Sequence, residues 1–185
     1  MIIPSVAACR RVGPMARPVN MPALAPAASP LFLREPELRR GIELLYFGYN
    51  HYVRSIDDEL SRYGLGRAHH RAVYFISRRP GLTVSELLSL LAITKQSLGR
   101  VLNDLTDRKL VETRSGERDR RQRLLFLTEA GATMEAELFE AGRSRMSQAY
   151  ARAGQNAVSG FWAVLEGLMS EETKAEFERL DKNGR

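Results

Sequence analysis

The stretch Thr83-Val84-Ser85-Glu86-Leu87-Leu88-Ser89-Leu90-Leu91-Ala92-Ile93-Thr94-Lys95-Gln96-Ser97-Leu98-Gly99-Arg100-Val101-Leu102-Asn103-Asp104-Leu105 decides the fold. It opens on a T-x-x-E capping box, in which the Thr83 hydroxyl accepts an orphan helix N–H and Glu86 reaches back to the N–H of Thr83. Ala92, Ile93 and Thr94 then form a turn, with Thr94 as the N-cap of a second helix. That helix has two faces. Leu98, Val101, Leu102 and Leu105 repeat at helical spacing and must face a core. Lys95, Gln96, Gly99, Arg100 and Asn103 make the opposite stripe, uncharged or cationic throughout. Such a stripe suits a helix lying in a DNA major groove, where Gln pairs with adenine and Arg or Lys with guanine. Lys95 and Ser97, at the helix N-terminus, are placed nearer phosphates, and the N-cap Thr94 is counted with the DNA-binding residues.

Downstream, Leu110-Val111-Glu112-Thr113-Arg114 alternates like a strand, and Arg123-Leu124-Leu125-Phe126-Leu127 is a second one. The turn between them carries Arg118, Arg120, Arg121 and, at its edge, Arg123. Asp119 is expected to brace it by pairing with Arg121. One arginine here would read as a solvated turn. Four of them just after a helix-turn-helix read as a wing whose guanidiniums enter the narrow, electronegative minor groove of A·T-rich DNA.

The charge distribution agrees. The net charge is +6, and residues 64–127 hold 13 Lys/Arg against 6 Asp/Glu, leaving 15 against 16 elsewhere. All the excess positive charge therefore lies in the proposed reader, which is the footprint of a nucleic-acid module and not of general polyanion attraction. A length of 185 residues fits one domain of about 100–150 residues with extensions. No apolar run approaches the roughly 18 residues that span a bilayer, so no membrane partner is expected. The sole cysteine, Cys9, excludes an internal disulfide and fits a reducing, cytoplasmic location.

The first 35 residues hold Pro4, Pro14, Pro18, Pro22, Pro26 and Pro30 among many alanines, and no acid precedes Glu35. They are expected to be a disordered tail. Two accounts of its origin stand: a targeting leader, or a start assigned upstream of Met15 or Met21. From Pro36 a long helix keeps Leu38, Ile42, Leu45, Tyr49, Val53, Ile56 and Leu60 at helical spacing, with Tyr46, Phe47 and Tyr52 widening its apolar stripe. A helix over about residues 67–77 ends at Pro80-Gly81, and Leu82 is expected as a brief strand. Thr128 caps another long helix to about Arg152. Phe161, Trp162, Leu165 and Leu168 mark a further one, and a short polar helix follows Ser170.

No catalytic constellation, phosphate-binding loop or metal-ligand spacing is present, so neither an enzyme nor a cofactor is expected. His69 and His70 are adjacent and point about 100° apart on a helix, which suits packing or hydrogen bonding at the helix start better than chelation.

The order Thr83, Glu86-Leu87, Ile93-Thr94, Arg100, Leu105, Leu110-Val111, Arg118-Asp119-Arg120-Arg121, Leu127-Thr128 and Gly131 resembles the MarR family of winged-helix transcription regulators. Ala68-His69-His70-Arg71 and Ile93-Thr94-Lys95-Gln96-Ser97-Leu98 look most like its PetP-like branch. The resemblance covers roughly residues 37–168. Leu88 departs from a common Ala, Ala92 from a common Gly, and Gly116 from a common acidic residue. The resemblance implies an α+β, mostly helical winged helix-turn-helix with a short three-stranded sheet and with N- and C-terminal dimerisation helices. Residues 36–63 would be the N-terminal dimerisation helix, 64–128 the DNA-binding domain and 129–185 the C-terminal dimerisation helices of a homodimer. It also implies a small-molecule effector between these parts. Tyr49, Tyr52, Arg54 and Phe75 either line such a cleft or serve as core. Two rivals to a dimeric, sequence-specific regulator of double-stranded DNA stand at this point, a winged-helix protein-interaction module and a nonspecific architectural DNA binder.

Overall fold

The computed structural model describes residues 29–116 and 119–183, with side chains as far as Leu180. The chain divides into a short unit, residues 1–41, and a larger one, residues 42–185. Most of the expected tail lies outside the described residues, together with Cys9, Met15 and Met21. Its end is corrected: Ser29 caps a 3-10 turn over Pro30–Leu33, its hydroxyl accepting the Leu31 N–H at 3.4 Å. Pro30 favours that turn because its φ is already helical and it has no N–H to leave unsatisfied.

The elements are α1 (Glu35–Arg62), α2 (Arg67–Arg78), β1 (Leu82–Thr83), α3 (Val84–Leu91), α4 (Lys95–Asp107), β2 (Val111–Ser115), β3 (Arg123–Leu127), α5 (Glu129–Ala153), α6 (Gln155–Gly167) and α7 (Glu171–Asn183). The fold is α+β and mostly helical, with one antiparallel sheet in the order β1-β3-β2. Leu82 pairs with Leu125, and the hairpin runs in register from Val111↔Leu127 to Ser115↔Arg123. Helix α4 continues two residues past Leu105. Nothing there breaks it until Lys109 turns left-handed at φ 58 and lets the Leu110 N–H return to the Leu105 carbonyl.

One apolar cluster joins these pieces. It takes Ile56 and Leu60 from the end of α1, Ala72, Val73 and Ile76 from α2, and Leu87 and Leu91 from α3. Leu98, Val101 and Leu105 enter from α4, Leu82, Val111 and Leu125 from the strands, and Met134 and Leu138 from α5. Each fully buried leucine of this set contributes about 1.5–3 kcal/mol. The start of α1 within the larger unit is different. Ile42, Leu44, Leu45, Tyr46, Phe47 and Tyr49 are exposed there, and α6 buries no residue at all among those described.

Two departures from the family pattern now have a local account. Leu88 rests partly buried against the core. Ala92 takes the left-handed conformation, φ 49 and ψ 44, and donates its N–H to the Leu88 and Ser89 carbonyls. The turn therefore forms without glycine, at a conformational cost of about 1–2 kcal/mol.

The Leu127-Thr128-x-x-Gly131 motif is a junction. The Thr128 hydroxyl accepts the Gly131 N–H at 3.1 Å and donates to the Lys109 carbonyl at 2.6 Å. The Thr128 N–H donates to the Leu110 carbonyl at 3.1 Å. So one residue caps α5 and pins it to the turn that follows α4. A Cβ on Gly131 would lie 1.9 Å from the Leu110 oxygen, a distance no side chain tolerates.

The entry to α3 is the expected capping box. The Glu86 N–H donates to the Thr83 hydroxyl at 3.2 Å, and the Glu86 carboxylate accepts the Thr83 N–H at 2.7 Å and pairs with Arg79. Burial alone would raise the Glu86 pKa. The Thr83 hydrogen bonds and the Arg79 charge outweigh it and hold the carboxyl below its usual range.

Two expectations follow. In urea unfolding, Gly131→Ala lowers stability by about 3 kcal/mol or more. Gly99→Ala, whose added Cβ meets nothing within 4 Å, raises it by roughly 0.5–1 kcal/mol; effects of the same sign would contradict the junction. A folded pKa below the unfolded one gives stability that is complete above the ordinary Glu pKa and is lost as pH falls through the folded value. Glu86→Gln therefore loses less stability than the natural chain between about pH 5 and 3, and parallel loss in the two would remove Glu86 from this role.

Candidate nucleic-acid interface

Helix α4 is built to show one face. Leu98, Val101 and Leu105 are buried, while Lys95, Gln96, Ser97, Arg100 and Asn103 are exposed. Thr94 has an extended backbone, and its hydroxyl accepts the Ser97 N–H at 3.1 Å. The same hydroxyl donates to Ser97 Oγ at 2.9 Å. With its oxygen already accepting that bond, Ser97 Oγ keeps its own proton for an outside acceptor such as a phosphate oxygen. No acid lies in the first turn, so the helix dipole and Lys95 together leave this end positive. Among the described residues neither Lys95 nor Arg100 takes part in an ion pair. Gly99 adds no side chain in the middle of the stripe, so the backbone of α4 can come close to whatever the stripe meets.

The wing is the hairpin β2–β3 and its tip. Beyond the Ser115↔Arg123 pair, the Gly116 N–H donates to the Gln122 carbonyl and the Gln122 N–H to the Asp119 carbonyl, each at 3.0 Å. Asp119 does brace the tip, but by a different bond from the expected ion pair: its Oδ1 accepts the backbone N–H of Arg121 at 2.9 Å. An Asx turn of this kind satisfies a loop donor locally and leaves the guanidinium outside it. Arg120 and Arg121 are exposed and, among the described residues, in no ion pair; Arg118 lies outside the described residues. Gly116 is buried, and a Cβ there would sit 2.8 Å from the Asp119 carbonyl. The acidic residue common at this position would not fit this tip.

Two further cations belong to the hairpin. Arg123 is exposed at the start of β3. Arg114 stacks its guanidinium 4.4 Å above the Phe126 ring and pairs with Glu112, which fixes it on the strand. Arg123 is one of the four arginines that the sequence places at the wing, but the Arg114–Phe126 stack depends on strand register and had no signal there.

The four residues singled out for an effector are only partly together. Tyr52 is half-buried; burial raises its pKa first, and the neighbouring Tyr74, Tyr49 and Tyr150 raise it further. Phe75 packs partly on the core, edge-on to Tyr74 with centroids 5.5 Å apart. Tyr49 and Arg54 are exposed. None of the four lines either the groove between α3 and α7 or the one between α6 and α7. No three His, Cys, Asp or Glu side chains converge as metal ligands among the described residues, and no described helix is long and apolar enough to cross a membrane.

Comparison with known proteins bears on this arrangement directly. The model of the MarR family matches residues 63–122, which covers the turn before α2 through the wing tip. An HTH-type transcriptional regulator, PetP of Rhodobacter capsulatus, is 51% identical over 150 residues, covering 81% of this chain and 90% of the relative. A MarR-family transcriptional regulator from Silicibacter pomeroyi superposes with a TM-score of 0.61 at 20% identity, over 77% of this chain and 97% of that one. A mutant MarR from E. coli, solved in complex with operator DNA, gives a TM-score of 0.58 at 19% identity, over 77% of this chain and 100% of that one. At these identities the solved structures speak for the fold, and the R. capsulatus relative for the family.

Proposed function

Since the chain belongs to the MarR family of transcriptional regulators, we propose that it binds double-stranded DNA sequence-specifically as a homodimer, with α4 in the major groove and the wing in the minor groove. The single observation that carries this reading is the exposed face of α4: Lys95, Gln96, Arg100 and Asn103 stand clear of any ion pair among the described residues while Leu98, Val101 and Leu105 are buried behind them. A protein-interaction surface would favour aromatic or aliphatic anchors at these positions. Gln96 and Arg100, about one turn apart, read base edges; Thr94, Lys95, Ser97 and Asn103 hold register on the backbone. Arg118, Arg120 and Arg121 supply the minor-groove contact, with Asp119 shaping the turn that presents them.

The homodimer is supported by apolar surface left over within the larger unit. Ile42, Leu45, Phe47 and Tyr49 on α1, Phe161, Trp162 and Val164 on α6 and Leu168 at its C-cap are all 42% or more exposed, far more than scattered surface residues account for. Residues 36–63 and 129–185 are thus the dimerisation parts, and residues 64–128 the reader. A twofold dimer presents two α4 helices to half-sites about one DNA turn apart, which makes the operator palindromic. A small aromatic or anionic effector would seat against Tyr49, Tyr52, Arg54 and Phe75, where Tyr52 lies among other tyrosines. A role of this kind belongs in the cytoplasm, with the DNA it reads.

Titrations on a selected operator and on random duplex, each at two salt concentrations, test this reading. Gln96→Ala loses roughly 1–3 kcal/mol on the operator and relaxes preference at one base pair per half-site. Arg120→Ala with Arg121→Ala makes the salt dependence shallower by about one unit per lost contact and half-site. Equal losses for Gln96→Ala on both duplexes would remove its base-reading role, and an unchanged salt slope would make the wing a solvated turn.

A further inference from the structure

Polar contacts, as well as apolar ones, hold the recognition helix from behind. His69, the third residue of α2, uses both ring nitrogens: Nδ1 accepts the Gly66 N–H at 3.2 Å, and Nε2 lies 3.1 Å from Asp104 Oδ2 on α4. A ring nitrogen that accepts a backbone N–H carries no proton, so the network assigns the proton to Nε2, which donates it to the carboxylate. Asp104 also accepts Arg108 Nε at 2.7 Å, and Arg108 Nη1 donates to the Tyr63 carbonyl at 2.8 Å. The Tyr63 hydroxyl in turn donates to Glu137 on α5. The start of α2 and the turn before it thus hold the end of α4 at two places, Asp104 and the C-cap Arg108, one helical turn apart.

These grips lie on the flank of α4. Asp104 follows Asn103 directly and stands one turn beyond Arg100. Leucine packing is non-directional and tolerates a small rotation of a helix about its axis, whereas a hydrogen bond weakens steeply once its angle is lost. A rotation of even a fraction of the 100° between successive residues would swing Gln96 and Arg100 off their base edges. The Arg108 hydrogen bond, with the Arg108 charge and the His69 hydrogen bond, outweighs desolvation and holds the Asp104 carboxyl below its usual range, so the acceptor stays ionised near neutrality.

The geometry points to His69 and Asp104 as positioning residues for base readout: through their bond across α2 and α4 they set the rotation of the recognition helix without touching DNA. This inference rests on the DNA-reading function above and deepens it. Random DNA, held by phosphate contacts, is indifferent to that rotation. Operator preference is not.

The test uses the full-length chain, a duplex selected from random sequence by the natural protein, and an unselected duplex. His69→Asn keeps an acceptor at the position of Nδ1 for the Gly66 N–H but does not reach α4, and Asp104→Ala removes the partner. Removing the Asp104 charge strengthens binding to every duplex, so the readout is the ratio of operator to random affinity. Each variant lowers that ratio by about tenfold, and the double variant lowers it no further, because both act through one bond. Asp104→Asn, which keeps an acceptor, retains most of the ratio. In the DNA-free protein, amide exchange across residues 99–105 quickens in His69→Asn. An unchanged ratio in His69→Asn, or losses that multiply in the double variant, would overturn the inference. If the natural chain selects no duplex, the DNA-reading function itself fails; the exchange measurement then decides the positioning bond alone, and unchanged exchange overturns it.

Discussion

Burial of Leu98, Val101 and Leu105 under α2, α3 and the sheet is the constraint on which everything else depends. A helix offers a polar face to a groove only when its other face is committed, and these three side chains commit it. Truncating Leu105 to Ala would cost about 2–5 kcal/mol and would loosen the reader together with the fold. Because the apolar face fixes depth and tilt, the polar residues around α4 are left with finer duties. Thr94 closes its first turn, and His69 and Asp104 bear on its rotation.

The same economy shapes the hairpin. Its strands are anchored by Leu125 and Val111 in the core, so the tip projects with no apolar residue of its own. Asp119 gives its carboxylate to a backbone N–H and, among the described residues, to no guanidinium. That choice matters electrostatically: an arginine neutralised by an internal ion pair releases fewer counterions from DNA than one outside it. Gly116, Gly131 and Ala92 play the complementary backbone part, each at a place where chain segments come too close, or turn too sharply, for an ordinary residue in an ordinary conformation.

Much of this was legible in the residues. Thr83 with Glu86, Thr94, and the period of Leu98, Val101 and Leu105 are local signals, and local signals set helix starts and faces. The wing strands were equally plain from their alternation. What escaped were contacts between segments distant in sequence. His69 meets Asp104 only after α2 and α4 have packed, and no pattern within either helix announces the pair. The reason for Gly131 lies in the Leu110 carbonyl, 21 residues upstream. The bond chosen by Asp119 depended on a turn geometry that spacing alone does not specify. The apolar positions of α1, one regular stripe in the sequence, separate in the structure into Val53, Ile56 and Leu60, which are buried, and Ile42, Leu45 and Tyr49, which are not. Periodicity reports a face, and only packing reports whether the chain itself covers it.

That uncovered face and the α4 stripe make a joint claim, that two chains read one palindromic site. Selection of bound duplexes from a random pool, followed by sedimentation of the selected complex, tests it most directly. The account predicts a twofold-symmetric sequence with half-sites centred about 10 base pairs apart, carrying two chains per duplex. An asymmetric site bound by a single chain, or a pool that never enriches, would contradict it.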